Sequence, residues 1–276
     1  MKLQYRLHGV RFSIEAPCST GPAIADFVMP DCIAGHPSGR PHGIFEVRRD
    51  ECGLALCRDG RPRWHARDTE ELVPWLEGEI VRWLLGRLIA YAQVHAAVVE
   101  RDGRAILLAG GPDSGKTSLA CAFGRAGWTV MSDEVALIDT EGQEVLAFPR
   151  MMFVEDGTAR LLPELAGHPR RSIPVEGGTK MVRAVRPGAF GTNRRDRASI
   201  RALVFIQRGP SPNCDRLSDR NAMERLLEHS FDAAERPRLN LDACISVARS
   251  APAWQMTIGP LEGAVEFILG RIEEAP

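Results

Sequence analysis

The chain has 276 residues, of which 44% are hydrophobic and 26% charged, a composition that excludes disordered, collagen-like and membrane-spanning proteins. Its formal charge is −1, because 35 Lys and Arg residues stand against 36 Asp and Glu residues, so there is no cationic field to hold a nucleic-acid backbone. We therefore expect neither nucleic acid nor a membrane as a partner, and we leave a homo-oligomer open. Seven cysteines without CxxC spacing, and an N-terminus without an apolar segment, predict reduced thiols and a cytoplasmic protein.

Residues 1–68 predict a small β-rich N-terminal module. Short alternating segments such as 10–14 and 43–47 are separated by Pro, Gly and Asp clusters. Cys32, His36 and His42 lie in one such cluster, but their spacing matches no standard zinc site. The composition changes after Asp68, which predicts a second domain over residues 69–276.

The second domain is predicted to be α/β, with a mixed sheet around a central helix. It opens with a helix that is capped by Thr69 and keeps apolar residues at helical spacing up to Tyr91. Asp102-Gly103 predicts a tight hairpin turn, and Glu141-Gly142 predicts another. The predicted strands cover residues 95–101, 104–109, 128–131, 135–139, 144–148, 200–207 and 254–258. The further predicted helices cover residues 116–127, 221–229, 241–248 and 261–274.

Residues 163–199 show little periodicity and much Gly, Pro and Arg. Such a segment is typical of a mobile region near a substrate.

Residues 110–117 read GGPDSGKT and fit the pattern G-x-x-x-x-G-K-[ST], between an apolar strand and a helix. Glycines let the backbone wrap a phosphate group, the backbone amides face the anion, and the ammonium group of Lys116 neutralises the β and γ phosphates. The Thr117 hydroxyl is suited to bind Mg²⁺. This pattern predicts a nucleotide site in which ATP is bound with Mg²⁺. The residues predicted to bind the nucleotide are Gly110, Gly111, Pro112, Asp113, Ser114, Gly115, Lys116, Thr117 and Ser118.

Two sets of acids compete to complete that site. Asp133 and Glu134 follow a predicted strand, and adjacent acids there are able to act as a base and a metal ligand. Asp139 ends the next apolar run and fits a simple Walker B carboxylate. The spacing favours the first pair.

Two further residues are candidates for the catalytic site. His95 precedes Gly110 by fifteen residues, and a single His beside two alanines is more often a core residue than a catalytic one. Lys180, followed by Arg183 and Arg186, is the best remaining source of positive charge for a transferring phosphoryl group.

These residues resemble the catalytic domain of HPr kinase/phosphorylase and its HPr-kinase-related relatives, within the broader P-loop group that includes phosphoenolpyruvate carboxykinase. The resemblance rests on His95 at the start of HAAVVERDGRAILLAGGPDSGKTSLA, on the P-loop, and on WTVMSDEVALID. In the last segment Ser132-Asp133-Glu134 stands in the place of the family's Ala-Asp-Asp. Related kinases occur with lasso-peptide biosynthesis and phosphorylate a hydroxyl of a precursor peptide.

The resemblance implies roles for the candidate residues. Asp133 would be the general base, Glu134 and Thr117 would hold Mg²⁺, and His95 would support Asp133 or the phosphate. The implied activity is a Mg-ATP-dependent kinase that transfers the γ-phosphoryl group to a hydroxyl acceptor, on Ser or Thr of a peptide or protein or on a small metabolite.

The alternative is a non-catalytic ATP-binding regulatory or scaffold protein. A GTPase ranks last, since no N-K-x-D segment is present; residues 193–196 read NRRD, with Arg in place of Lys.

Overall fold

The computed structural model describes residues 1–35, 39–140, 143–175, 177–191 and 195–274. These residues divide into two units. The first contains Met1–Ile89, Pro149–Asp156 and Leu165–Val185, and the second contains the remaining described residues.

The described secondary structure is mixed α/β. The strands, in chain order, are β1 (Lys2–Leu7), β2 (Val10–Glu15), β3 (Gly43–Asp50), β4 (Gly53–Arg58), β5 (Arg61–Ala66), β6 (Tyr91–Arg101), β7 (Arg104–Ala109), β8 (Thr129–Ser132), β9 (Val135–Asp139), β10 (Glu144–Leu146), β11 (Met152–Val154), β12 (Arg170–Val175), β13 (Gly178–Val185), β14 (Arg197–Arg208), β15 (Asn213–Arg216) and β16 (Ala253–Ile258). The helices are α1 (Gly21–Phe27), α2 (Thr69–Leu85), α3 (Lys116–Arg125), α4 (Asp156–Leu161), α5 (Asp219–Glu228), α6 (Pro237–Ser250) and α7 (Ala264–Glu273). None of the described helices has both the length and the apolar character that crossing a bilayer requires.

The first unit contains two sheets. Strands β1 to β5 form a sheet in chain order, with β2 and β3 parallel and the other neighbours antiparallel. Strands β11, β13 and β12 form a second, antiparallel sheet. Strands β1 to β5 all lie within residues 1–68, the range that the sequence predicts to be β-rich. His36, one of the three residues considered for a metal site, and the predicted turn at Glu141-Gly142 lie outside the described residues.

Helix α2 belongs to the first unit, whereas the predicted boundary falls before it. The ring of Trp83 on α2 packs edge-on against Phe12 and Phe45, with centroids 5.8 and 5.5 Å away. A Cβ atom at Gly43 would come within 2.5 Å of the Trp83 ring, so this glycine lets the indole lie against the sheet. The helix is thus bound to the N-terminal sheet by aromatic packing that its own periodicity does not reveal.

The ends of α2 also differ from the prediction. Its N-cap is Asp68, whose side chain accepts a hydrogen bond from the backbone N–H of Glu71 at 2.9 Å. The helix ends at Leu85, and β6 begins at Tyr91, where the prediction placed the end of the helix. The apolar spacing continued past the helix because Leu88 is buried without being helical.

The second unit is built on a mixed sheet in the order β10, β9, β6, β7, β14, β16, β15, with β8 also paired to β6. Strand β7 is central: it is antiparallel to β6 and parallel to β14. The hairpin between β6 and β7 turns at Asp102 and Gly103, whose φ values of 55° and 80° suit a tight turn. This predicted hairpin is confirmed, and it places the C-terminal end of β7 directly before Gly110.

The segment 163–199 contains regular secondary structure that its weak periodicity did not predict. Its mobility near a substrate stays a prediction. Strands β12 and β13 pair in antiparallel register from Arg170 opposite Arg183 to Val175 opposite Gly178. The four residues of β13 nearest the turn, 178–181, are all exposed, so the apolar alternation that normally identifies a strand is absent there.

Helix α3 depends on a glycine at position 124. A Cβ atom there would lie 2.5 Å from the Phe190 ring, so Gly124→Ala would force that ring to move. We expect a loss of about 1–3 kcal/mol in the free energy of unfolding, measured by urea denaturation. Gly270→Ala in α7 is the matched control, because nothing lies within 4 Å of its added Cβ. The control should be neutral or stabilising by up to about 1 kcal/mol, and equal losses in both variants would contradict the packing argument.

Candidate functional site

The loop between β7 and α3 is a tight curl of backbone. A Cβ atom at Gly110 would lie 2.7 Å from the backbone oxygen of Ile206 on β14, so only glycine fits at the start of the loop. Asp113 and Gly115 have φ values of 56° and 98°, and Gly115 caps α3. The Ser114 hydroxyl is buried inside the curl and makes no hydrogen bond among the described residues. A closely wound loop at a helix N-terminus with a polar interior suits an anionic ligand.

Lys116 lies at the first turn of α3 and folds back over this loop. Its ammonium group donates hydrogen bonds to the carbonyl oxygens of Gly110 at 2.8 Å and Gly111 at 3.0 Å. The residue is 7% exposed. Burial lowers the pKa of Lys116, while Asp133 and Asp113 act in the opposite direction. The fold thus holds a positive charge at the loop, and burying this charge costs part of its solvation free energy.

Thr117 joins the loop to the predicted acids. Its hydroxyl donates to Oδ2 of Asp133 at 3.0 Å, and Asp133 is 7% exposed. Asp133 and Glu134 form the turn between β8 and β9, where the Ser132 hydroxyl accepts from the backbone N–H of Glu134 at 3.2 Å. A hydroxyl and a carboxylate therefore meet directly beside the lysine-bearing loop.

Asp139 lies at the opposite end of β9. His95 on β6 pairs with Val135 at the start of β9, whereas Tyr91 pairs with Asp139 at its end. Four residue steps along a strand separate the two ends by about 13 Å. Because Ala96 pairs with Ala109, the residue before the loop, the His95 end of β6 is the end next to the loop. Of the two competing acids, the structure brings Asp133 to the loop and leaves Asp139 away from it.

No family model matches this chain. No curated protein matches its sequence either. Among solved structures, it shows a similarity to the Hpr(Ser) kinase/phosphatase from Coxiella burnetii, with 13% sequence identity and a TM-score of 0.33. That similarity covers 66% of this chain and 95% of the other.

His95 lies on β6, close enough to Lys116 for the positive charge of the lysine to disfavour protonation of the imidazole. Burial, together with Lys116 and His229, lowers the pKa of His95 from 6.5 to about 4. The ring centroid lies 5.5 Å from that of Phe231, and the His95 backbone N–H donates to the His229 carbonyl oxygen at 2.8 Å. His95 is therefore a neutral imidazole at pH 7. This allows it to accept or donate one hydrogen bond without adding a second charge beside Lys116.

The lowered pKa of His95 predicts a loss of stability in acid. Between pH 6.5 and about 4 the unfolded chain binds a proton that the folded chain excludes, so the free energy of unfolding falls as pH falls. We expect His95→Gln to reduce this slope by up to about 1 kcal/mol per pH unit, allowing for partial exposure of the ring.

Urea denaturation at several pH values between 4 and 7 measures this slope. His168→Gln, in the other unit, is the control. Identical slopes for His95→Gln and the unmodified protein would contradict the burial of a neutral imidazole.

Sequence reasoning missed Arg208, the last residue of β14. A Cβ atom built at Gly115 would lie 3.2 Å from its Nε atom, so the guanidinium group lies against the start of α3. Among the described residues, the guanidinium group of Arg208 has no hydrogen-bond or ion-pair partner, although its backbone lies in the β14–β16 ladder opposite Ile258. Part of its position follows from the strand order. Strand β14 runs parallel to β7, and the ends of adjacent parallel strands meet at one edge of a sheet, so the last residue of β14 lies near the loop that follows β7.

Two predicted residues are engaged elsewhere. The Ser118 hydroxyl contacts the hydroxyl of Thr158 on α4 at 2.5 Å. Lys180 lies on β13, in the first unit, with its ammonium group 2.6 Å from Oε1 of Glu155. Its catalytic role stays a prediction.

Proposed function

We propose that the second unit binds Mg-ATP and transfers its γ-phosphoryl group to a hydroxyl acceptor. The observation that carries this proposal is the meeting of three groups at one end of β7. These groups are the glycine-rich loop with its buried Lys116, the hydroxyl of Thr117, and the carboxylate of Asp133. Phosphoryl transfer requires positioning and charge neutralisation more than covalent chemistry, and these groups supply both.

Each residue has a defined part in this proposal. The loop amides and Lys116 bind the phosphates, and Arg208 adds a second cation from the side of Gly115. Asp133 accepts the proton of the acceptor hydroxyl as its oxygen forms a bond to the γ phosphorus and the bond to ADP breaks. His95, neutral at pH 7, is the supporting residue on the neighbouring strand. ADP and a phosphorylated alcohol are the products.

The residues at the loop fit a magnesium ion. Thr117, Asp133 and Glu134 offer hard oxygen atoms, and Mg²⁺ usually takes one or two such protein groups together with phosphates and water. Such a site does not need the larger cluster of His, Cys, Asp or Glu side chains that a resident metal would need, and the described residues contain no such cluster. When bound, Mg²⁺ supplies charge neutralisation on the phosphates. Because Thr117 donates a hydrogen bond to Asp133, Asp133 is, beside Glu134, a second candidate for the carboxylate that would bind Mg²⁺ together with Thr117.

The test is a transfer assay with ATP and Mg²⁺ on a panel of acceptors, namely hydroxyl-bearing peptides, proteins from neighbouring genes and small alcohols. Intact mass detects the gain of one phosphate on an acceptor. Transfer that disappears in Asp133→Asn supports the kinase. ATP binding without acceptor-dependent release of ADP would instead favour a regulatory or scaffold protein, and no ATP binding would reject both functions.

A further inference from the structure

A groove of about 530 Å³ lies entirely within the first unit. We call it the indole groove; it is lined by Trp64 on β5, by Trp75, Gly78 and Arg82 on α2, and by Arg63. No part of the proposed phosphoryl transfer uses it. Its volume lies in the range of ordinary ligand sites.

The two tryptophans give the indole groove an aromatic wall made of two stacked rings. Their rings stack with centroids 3.9 Å apart and an angle of 23° between the planes. Trp64 is 38% exposed, so part of this large apolar surface faces solvent. A Cβ atom at Gly78 would meet nothing within 4 Å, which leaves space next to the rings. An apolar side chain would gain burial by packing against this wall.

The polar side of the groove is positively charged. Glu79 is buried and accepts hydrogen bonds from Arg58 and Arg63 at 2.8 Å each and from Arg82 at 2.9 Å. Two of these guanidinium groups, those of Arg63 and Arg82, line the groove together with Glu79, so the described lining residues carry a net charge of +1. Among the described residues that line the groove, Glu79 is the one acid.

Within the part of the chain that the structure describes, Arg63 and Arg82 keep donors for a ligand. A guanidinium group has five N–H donors in a planar fork, and Glu79 takes one from each of Arg63 and Arg82 in the bonds described above. The Arg82 side chain is 73% exposed. Such groups pair well with carboxylates, and the planar fork favours two-point contact.

We propose that the indole groove binds an acidic peptide segment that carries an apolar or aromatic side chain. Carboxylates of the peptide pair with Arg63 and Arg82, and the apolar side chain packs on the indole rings of Trp64 and Trp75. Both halves of this recognition are needed, because exposed ion pairs contribute little alone and an indole wall alone gives no preference for acids. The site is independent of the proposed kinase activity and is measurable without nucleotide.

The experiment measures binding of a fluorescein-labelled ten-residue peptide of glutamates with one central phenylalanine. Fluorescence polarisation is recorded with the full chain in the absence of ATP. Two matched peptides replace the glutamates by glutamines or the phenylalanine by alanine. We expect binding of the acidic phenylalanine peptide, about tenfold weaker binding in 0.5 M salt, and little binding of the glutamine peptide.

Variants locate the site. Arg82→Gln changes a side chain that is largely exposed and is expected to weaken binding about fivefold. The double variant Arg63→Gln/Arg82→Gln should weaken it further. Trp64→Ala should remove the preference for phenylalanine over alanine. Arg67→Gln is the matched control, because its side chain is 86% exposed and pairs with Glu71 in the same unit. Circular dichroism checks that each variant is folded. If the double variant is unfolded, the single variant Arg82→Gln alone tests the role of the arginines.

Several results would overturn the proposal. These are equal binding of the glutamate and glutamine peptides, absence of saturable binding, or an equal loss in Arg67→Gln and Arg82→Gln. Displacement of the peptide by equimolar tripolyphosphate or a single-stranded oligonucleotide would identify a general anion site and would also reject peptide recognition.

Discussion

Asp133→Asn is expected to lower the rate of phosphoryl transfer by about 10²- to 10⁴-fold while ATP binding is retained. The amide has nearly the same shape as the carboxylate, and its oxygen still accepts the hydrogen bond from Thr117. It is unable to take a proton from an acceptor hydroxyl. Single-turnover transfer from labelled ATP measures the chemical step, and equilibrium titration with ATP and Mg²⁺ measures binding.

The same variant separates the two roles open to Asp133. If Asp133 acts as the base, the affinity for ATP and its dependence on Mg²⁺ stay as in the unmodified protein. If Asp133 instead accompanies Thr117 at the metal, the affinity for ATP at limiting Mg²⁺ falls together with the rate. Glu134→Gln is the matched variant, because Glu134 occupies the adjacent position of the same turn. Asp139→Asn is the distant control, since it lies at the other end of β9. Transfer that survives in Asp133→Asn would reject both roles.

Local sequence patterns predicted the central part of the second unit. The hairpin at Asp102-Gly103, the strand before Gly110 and the helix after Gly115 are each specified by residues close together in the chain. Glycine at positions of positive φ and apolar runs between polar turns are strong signals of this kind. They also placed Asp133 at the end of a strand, which is where it approaches the loop.

Local sequence patterns did not predict contacts between residues that are far apart in the chain. The packing of Trp83 on the N-terminal sheet, which moves α2 into the first unit, depends on a glycine forty residues away. Arg208 reaches Gly115 only because β14 pairs with β7, and no local spacing predicts which strands pair. The pairing of β12 with β13 was missed because residues 178–181, at the start of β13, are all exposed and carry no apolar alternation.

Lys116→Met is expected to weaken ATP binding about 10- to 100-fold. Transfer should fall by about 10²- to 10³-fold, because the ammonium group is positioned where charge develops on the phosphates. Methionine keeps the apolar stem of the side chain and removes the charge. Arg208→Gln removes an exposed cation from the same edge of the sheet and should have a much smaller effect, about two- to fivefold on ATP affinity.

Stability distinguishes a binding role for Lys116 from a merely structural one. Burial lowers the pKa of this lysine, so the folded protein holds the charge at a cost in solvation. Lys116→Met should therefore unfold at the same temperature as the unmodified protein or higher when no nucleotide is present. Addition of Mg-ATP should raise the unfolding temperature of the unmodified protein and leave that of Lys116→Met nearly unchanged. A large loss of stability without nucleotide, with an intact response to ATP, would mean that Lys116 holds the loop together and does not bind the phosphates.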